Sequence, residues 1–148
     1  MDKVRHIMSK NVVSVGPNDN IYEVACLMRD HNVGMLPVVE NNQLYGVITD
    51  RDIVLRGVAE KKPNSSTVKD IMSSRLVHGH PEMSIDEAAR VMSEAQVRRL
   101  PVVENNQLIG VVSIGDMAVR EPYADAASTA MQEISETHNP HVSSDLQH

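Results

Sequence analysis

Leu36-Pro37-Val38-Val39-Glu40-Asn41-Asn42-Gln43-Leu44 recurs, letter for letter, as Leu100-Pro101-Val102-Val103-Glu104-Asn105-Asn106-Gln107-Leu108. Each copy is followed one residue later by Gly-Val, at Gly46-Val47 and Gly110-Val111. Within the stretch an apolar run meets a polar Asn-Asn pair and resumes as a second apolar run. That is the pattern of a hairpin whose turn residues tolerate positive φ. Working outward, Val4–Arg56 aligns without a gap on Val68–Arg120, with 24 of 53 positions identical. The chain is an internal duplication.

The repeat fixes the boundaries. Residues 1–60 form the first repeat, 61–67 a linker, 68–122 the second repeat, and 123–148 a C-terminal helix and flexible tail. Lys61-Lys62-Pro63-Asn64-Ser65-Ser66 reads as a solvated connection. In each repeat a short extended segment (Val12, Val13; Leu76, Val77) leads to Pro17 or Pro81. Asn20-x-x-Glu23 and Ser84-x-x-Glu87 then have the form of capping boxes that start helices. Ile21, Val24, Ala25 and Met28, matched by Ile85, Ala88, Ala89 and Met92, give each helix a buried stripe. Leu27 and Val91 fall off that stripe and suggest packing against another subunit. After the hairpin, a closing helix is expected to begin at Thr49 and at Ser113. Each copy therefore reads β-α-β-β-α, an α/β (α+β) fold. A unit of about 50 residues buries too little surface to stand alone, so the two sheets are expected to pack on each other around a pseudo-two-fold axis. The clefts between the halves then become the natural ligand sites.

Composition narrows the function. The 148 residues are 41% hydrophobic, enough for one compact core or two fused halves. A net charge of −6 argues against a phosphate-backbone binder, which needs clustered Lys and Arg. No apolar run spans a bilayer and the first residues lack a secretory segment, so a soluble cytoplasmic protein is expected, with no membrane partner. A single cysteine, Cys26, forms no internal disulfide, and its helix offers it no basic neighbour but Arg29. Phe and Trp are absent and only three Tyr are present, so a bound base would sit between aliphatic side chains and backbone.

Three features in each copy resemble the CBS domains, named for cystathionine β-synthase, which occur in pairs called Bateman modules. They are the Leu-Pro-Val-Val strand, the stretch Gly46-Val47-Ile48-Thr49-Asp50-Arg51-Asp52 or Gly110-Val111-Val112-Ser113-Ile114-Gly115-Asp116, and the leading Ile-Met-Ser at residues 7–9 and 71–73. The resemblance covers about residues 4–120. It implies a regulatory module that binds adenosine-containing nucleotides and dimerises into a disc of four repeats.

The candidate sites follow from residue chemistry and from that resemblance together. Thr49-x-x-Asp52 and Ser113-x-x-Asp116 have the form of capping boxes, and capping alone would explain them. The same hydroxyl can also donate to a phosphate, and the carboxylate can accept from a ribose diol. This division of labour resembles that of the family. The second repeat has Arg98-Arg99 where the first has Gly34-Met35, and in the family basic residues at these positions contact phosphates. Ser113, Asp116, Arg98 and Arg99 thus form the preferred site, with Ala95, Val77 and Val111 as walls for the base. The first repeat offers Thr49, Asp52 and Arg51 beside Val13, Met35 and Val47; Arg51 would either reach a phosphate or block the cleft.

The expected ligand is AMP, ADP, ATP or a related adenosyl compound, with no cofactor required. The expected partners are a second copy of the chain and an unidentified regulated protein. The competing reading is a ligand-free dimerisation or protein-interaction module. No catalytic residues can be named, because Asp50 and Asp52 have no partner base or nucleophile. His78-Gly79-His80 lacks the further ligands of a metal site, and no metal is assigned.

Overall fold

The computed structural model describes residues 2–73, 76–118 and 124–138. Its chain folds into two compact units whose membership does not follow the order of the repeats. One unit gathers residues 11–76 and 103–108; the other gathers 1–10, 77–102 and 109–148.

In the first of these units, helix α2 (Ile21–His31) starts where Asn20 Oδ1 accepts from the Glu23 amide at 2.9 Å. It stops at Asn32, whose left-handed φ of 55° turns its amide back onto the last carbonyls. Strands β1 (Met35–Glu40) and β2 (Gln43–Thr49) pair antiparallel, with Met35 opposite Thr49 and Glu40 opposite Gln43. Asn41 and Asn42 both take positive φ, as a two-residue turn that matches the strand twist requires. Gln43 also pairs with Gln107, and the Asn42 side-chain amide donates to Gln107 Oε1 at 3.0 Å. After β2 comes one turn, α3 (Asp50–Asp52), which runs into a π-helix over Ile53–Val58. The one-turn helix α4 (Val68–Ile71) completes the unit.

The core of this unit contains Val15, Ile21, Val24, Met28, Leu36, Val38 and Ile48, together with Val68 and Ile71. The last two belong by sequence to the second repeat. The connection before them is solvated in its side chains but pinned in its backbone: the Ile21 amide donates to Ser66 O and the Tyr22 amide to Asn64 O.

The other unit mirrors the exchange. Its leading turn α1 (Val4–Ile7) comes from the first repeat, and Val4 and Ile7 are buried with Ile85, Ala88, Met92, Leu100, Val102 and Val112. The Val4 amide donates to Met83 O and the Arg5 amide to Pro81 O. Lys3 and Arg5 both pair with Glu82, Lys3 at 3.2 Å, and together they hold that exposed carboxyl below its ordinary range. Helix α5 (Ile85–Ala95) begins at Ser84, whose hydroxyl accepts from the Glu87 amide at 3.0 Å. Strands β3 (Arg99–Glu104) and β4 (Gln107–Ser113), the five-residue helix α6 (Ile114–Ala118) and α7 (Ala124–His138) follow. Helix α7 packs on α5 and α6 and buries Ala127, Ala130 and Ile134.

Mixed α and β elements with antiparallel hairpins are as the repeat predicts, and several details differ. Val12, Val13, Leu76 and Val77 form no strand; only isolated parallel bridges, Val15 to Val38 and Gly79 to Val102, remain of the expected leading strand. Pro17 and Pro81 shorten these segments, since proline offers no amide to a ladder. Ala25, placed on the buried stripe by periodicity, is exposed, whereas its counterpart Ala89 is buried. The difference is that α5 has a further helix, α7, packed on it. Leu27 and Val91 are half-buried against the core of their own unit. The expected flexible tail beyond His138 falls outside the described residues.

Candidate functional site

Both predicted boxes form, and both are reciprocal. Thr49 Oγ1 accepts from the Asp52 amide at 3.0 Å, and the Thr49 amide donates to Asp52 Oδ2 at 2.9 Å. Ser113 Oγ accepts from the Asp116 amide at 3.1 Å, and the Ser113 amide donates to Asp116 Oδ2 at 3.0 Å. Each hydroxyl therefore serves as an acceptor, which leaves its own proton to be donated, and each carboxylate has a second oxygen outside the box. All four residues are half-buried, open enough to meet a solute.

In the second repeat the box is tied to the arginine pair. The Ile114 amide, first in α6, donates to Arg98 O at 3.1 Å, so the Arg98-Arg99 step lies at the Ser113 end of β4. Arg98 is exposed and Arg99 half-buried, and among the described residues neither has an ion pair. Val77 is half-buried against the core, Ala95 closes α5 as a buried residue, and Val111 is half-buried on β4. All seven residues of the preferred site lie in one compact unit.

Sequence reasoning missed one participant. Val111 is bridged on both sides of its peptide by Ser9: the Ser9 amide donates to Val111 O at 2.8 Å and the Val111 amide donates to Ser9 O at 3.0 Å. The leader of the first repeat thus runs along the strand that carries the second repeat's box. Gly110 permits the approach, since a Cβ there would lie 2.8 Å from Met8 Sδ and 2.9 Å from Ser9 O. The identical Ile-Met-Ser leaders and identical Gly-Val steps were the available signal. Nothing in a linear repeat says that each leader crosses to the other copy, although Val47 and Ser73 form the matching bridge.

The first repeat's constellation has the same frame and a different charge. Met35 lies opposite Thr49, and the Asp50 amide donates to Gly34 O at 2.9 Å, the counterpart of the Ile114 to Arg98 bond. In this copy, however, the Asp50 carboxylate closes over Gly34, with Oδ2 2.9 Å from where a Cβ would stand. Asp50 is exposed, whereas its counterpart in the second copy, Ile114, is buried in the core. Arg51 is exposed in the first turn of α3, and Val13 and Val47 are half-buried.

Other groups add little chemistry. The His78 and His80 rings stand edge to face at 5.2 Å, and His78 Nδ1 is buried without a hydrogen-bond partner among the described residues. Among those residues no three His, Cys, Asp or Glu side chains gather as a metal-ligand set. No described helix is long and apolar enough to cross a membrane.

With the sites in place, comparison with known proteins supplies the class. The CBS domain family model matches residues 4–58 and 68–120, and the chain belongs to that family. It is 44% identical over 135 residues to the CBS domain-containing protein YhcV of Bacillus subtilis, covering 91% of this chain and 96% of the relative. Among solved structures it is similar to Hypoxic Response Protein I, which carries two coordinated zinc ions, with a TM-score of 0.76, 34% identity, and coverage of 82% of this chain and 100% of that one. It is also similar to the CBS domain pair of protein MJ0100, solved with 5′-methylthioadenosine and S-adenosyl-L-methionine. There the TM-score is 0.71 and the identity 29%, covering 80% of this chain and 94% of that one.

Proposed function

We propose that the chain is a non-catalytic regulatory module whose second repeat holds a phosphorylated adenosine ligand (AMP, ADP or ATP) and passes its occupancy, as a homodimer, to a regulated protein. The observation that carries this reading is the Ile114 to Arg98 hydrogen bond. It puts two arginines, without ion pairs among the described residues, at the same end of the strand as the Ser113/Asp116 box. The guanidinium groups would take the phosphate, with the Ser113 hydroxyl donating beside them. Asp116 would accept from the ribose diol through the oxygen its box leaves over. Val77, Ala95 and Val111 would wall the base. The adenosyl ligands of MJ0100, a 29% identical pair, support the ligand class.

The first repeat is the poorer phosphate site. Gly34 and Met35 replace the arginines, and the Asp50 carboxylate over Gly34 would repel an anion. Thr49, Asp52, Val13, Met35 and Val47 suit an adenosine without phosphate, with Arg51 at its edge. A second reading, a ligand-free interaction module, is favoured by one fact: both boxes are complete as reciprocal helix caps through their own hydrogen bonds.

The test is thermal unfolding of the purified protein with AMP, ADP, ATP, S-adenosylmethionine and a guanosine control. A ligand at about 100 times its dissociation constant adds about 2.7 kcal/mol of apparent stability. An adenosine-dependent rise that is lost in Arg99→Ala and in Asp116→Ala is the expected result. No rise with any nucleotide would favour the interaction module instead.

A further inference from the structure

Two buried polar atoms in the unit that holds the Ser113/Asp116 box have no hydrogen-bond partner among the described residues: Gln96 Oε1 and His78 Nδ1. Such atoms are uncommon in a folded chain, because burial takes away water and supplies nothing in return. A further one, Thr67 Oγ1, stands before α4 in the other unit. The first two each follow a residue assigned above to the base, Gln96 after Ala95 and His78 after Val77.

Local structure decides what each atom can do. Gln96 ends α5 in a left-handed conformation, φ 61°, and its side-chain Nε2 donates to Ser93 O at 2.9 Å. With the nitrogen committed, the remaining oxygen is an acceptor that lacks a donor. His78 lies on the segment that Gly79 bridges to Val102, where the Gly79 amide donates to Pro101 O at 2.8 Å. Gly79 turns toward the core, since an added Cβ would lie 2.9 Å from Leu100 Cδ2. Side chains alternate along an extended segment, so His78 stands on the opposite face. By the same alternation Arg99, next to the buried Leu100, shares that face. The first repeat has neither group: exposed Asn32 stands for Gln96 and Ser14 for His78, and neither has a buried unpaired atom. Recognition by aromatic faces is not open to this unit either. The chain has no Phe or Trp, and the described tyrosines, Tyr22 and Tyr45, belong to the other unit.

We infer that Gln96 and His78 read the edge of the base in the second repeat and select a 6-aminopurine over a 6-oxopurine. Gln96 Oε1 accepts from the exocyclic amine, and the Nδ1–H tautomer of His78 donates to a neighbouring ring nitrogen. A 6-oxopurine brings a carbonyl oxygen against Gln96 Oε1, two acceptors with no proton between them. A site that hydrogen-bonds a ligand group rejects the analogue without it, because its own polar atoms stay unpaired. This rests on the nucleotide reading above and adds the source of its base selectivity.

The experiment is isothermal titration calorimetry of the full chain with AMP and with IMP, for wild type, Gln96→Met and His78→Leu, following the site that Asp116→Ala removes. Wild type should bind AMP ~10–100-fold more tightly than IMP, the effect of leaving one buried acceptor unpaired. Gln96→Met keeps the side-chain length and removes the acceptor, so the two nucleotides should come within ~3-fold of each other. His78→Leu should weaken AMP ~10-fold. Melting curves without nucleotide check that both variants are folded. A wild type that binds neither nucleotide would overturn the nucleotide reading and this inference together. A wild type that binds AMP and IMP equally would overturn the inference alone, whatever the variants do. So would a folded Gln96→Met that keeps the wild-type preference, or a folded His78→Leu with unchanged AMP affinity.

Discussion

Gly46 and Gly110 are identical in sequence and position within their repeats, yet alanine should cost very different amounts at the two. Neither has positive φ, so the difference comes from space and not from backbone conformation. A Cβ on Gly110 would lie 2.9 Å from the Ser9 carbonyl and between 2.8 and 3.0 Å from Met8 Sδ and Cγ. The carbonyl is held by the Val111 amide, so relief requires the leader to move off the strand. Overpacking of that kind costs about 1–3 kcal/mol, and each weakened hydrogen bond adds about 0.5–1.5 kcal/mol. The expected total for Gly110→Ala is about 2–4 kcal/mol. At Gly46 the close atom is the Met72 methyl, the free end of a flexible side chain, and the Ser73 carbonyl is 3.8 Å away. Turning that methyl aside costs about 0.5–1.5 kcal/mol, offset by about 0.4–1 kcal/mol from the restricted unfolded chain. Gly46→Ala should therefore fall within about 1 kcal/mol of wild type. Urea unfolding of both variants measures the gap, and amide exchange at Ser9 and Val111 should quicken only in Gly110→Ala. Equal costs, or a costlier Gly46→Ala, would falsify the claim that the first leader is clamped on β4 by close backbone packing at Gly110.

Three further outcomes follow from the same geometry. Ile71→Ala empties a fully buried site in the unit built around α2 and β1, so it should cost about 2–5 kcal/mol and speed amide exchange in α2 more than in α5, although Ile71 belongs by sequence to the second repeat. Ser113→Ala removes a cap acceptor and should cost about 1 kcal/mol in chemical denaturation; a loss above about 3 kcal/mol would mean that the hydroxyl does more than cap. Lys3 and Arg5 depress the Glu82 carboxyl, so their attachment of the leader is complete above the ordinary carboxylate range and weakens as pH falls through the lower folded value. Glu82→Gln should flatten that part of the stability profile, and an unchanged acid limb would argue against the contact.

Much of the fold was legible because duplication made each local signal appear twice. The Asn-Asn turns, the Asn20 and Ser84 caps and the Thr49 and Ser113 boxes are short-range devices, settled by residues no more than three apart, and all form as their chemistry requires. The exchange of leaders was not legible. Val4 and Val68, Ile7 and Ile71 are identical pairs, so either copy of the leader suits either core, and hydrophobic pattern alone does not choose between them. The stripe on α2 failed at Ala25 for a related reason. An alanine is apolar enough to be buried and small enough to be exposed, and α7, which packs on the helix that buries its counterpart, has no copy in the repeat.

The two repeats share a backbone frame and differ in the side chains set on it. The Asp50/Gly34 and Ile114/Arg98 pairs make the same hydrogen bond, at 2.9 and 3.1 Å, so the backbone of both sites is set by the duplication. What differs is the side chain on the bonded residue: an exposed Asp50 carboxylate over Gly34 in one copy, and Ile114, buried in the core, in the other, where the accepting residue is Arg98. The Arg29/Ser93 exchange differs likewise on the helices, since the Ser93 hydroxyl donates to Glu133 of α7 whereas Arg29 pairs with Asp30 of its own helix. Three differences beside the hairpin, Gly34/Arg98, Met35/Arg99 and Asp50/Ile114, and one on the helix, Arg29/Ser93, thus set different side chains on one shared backbone frame.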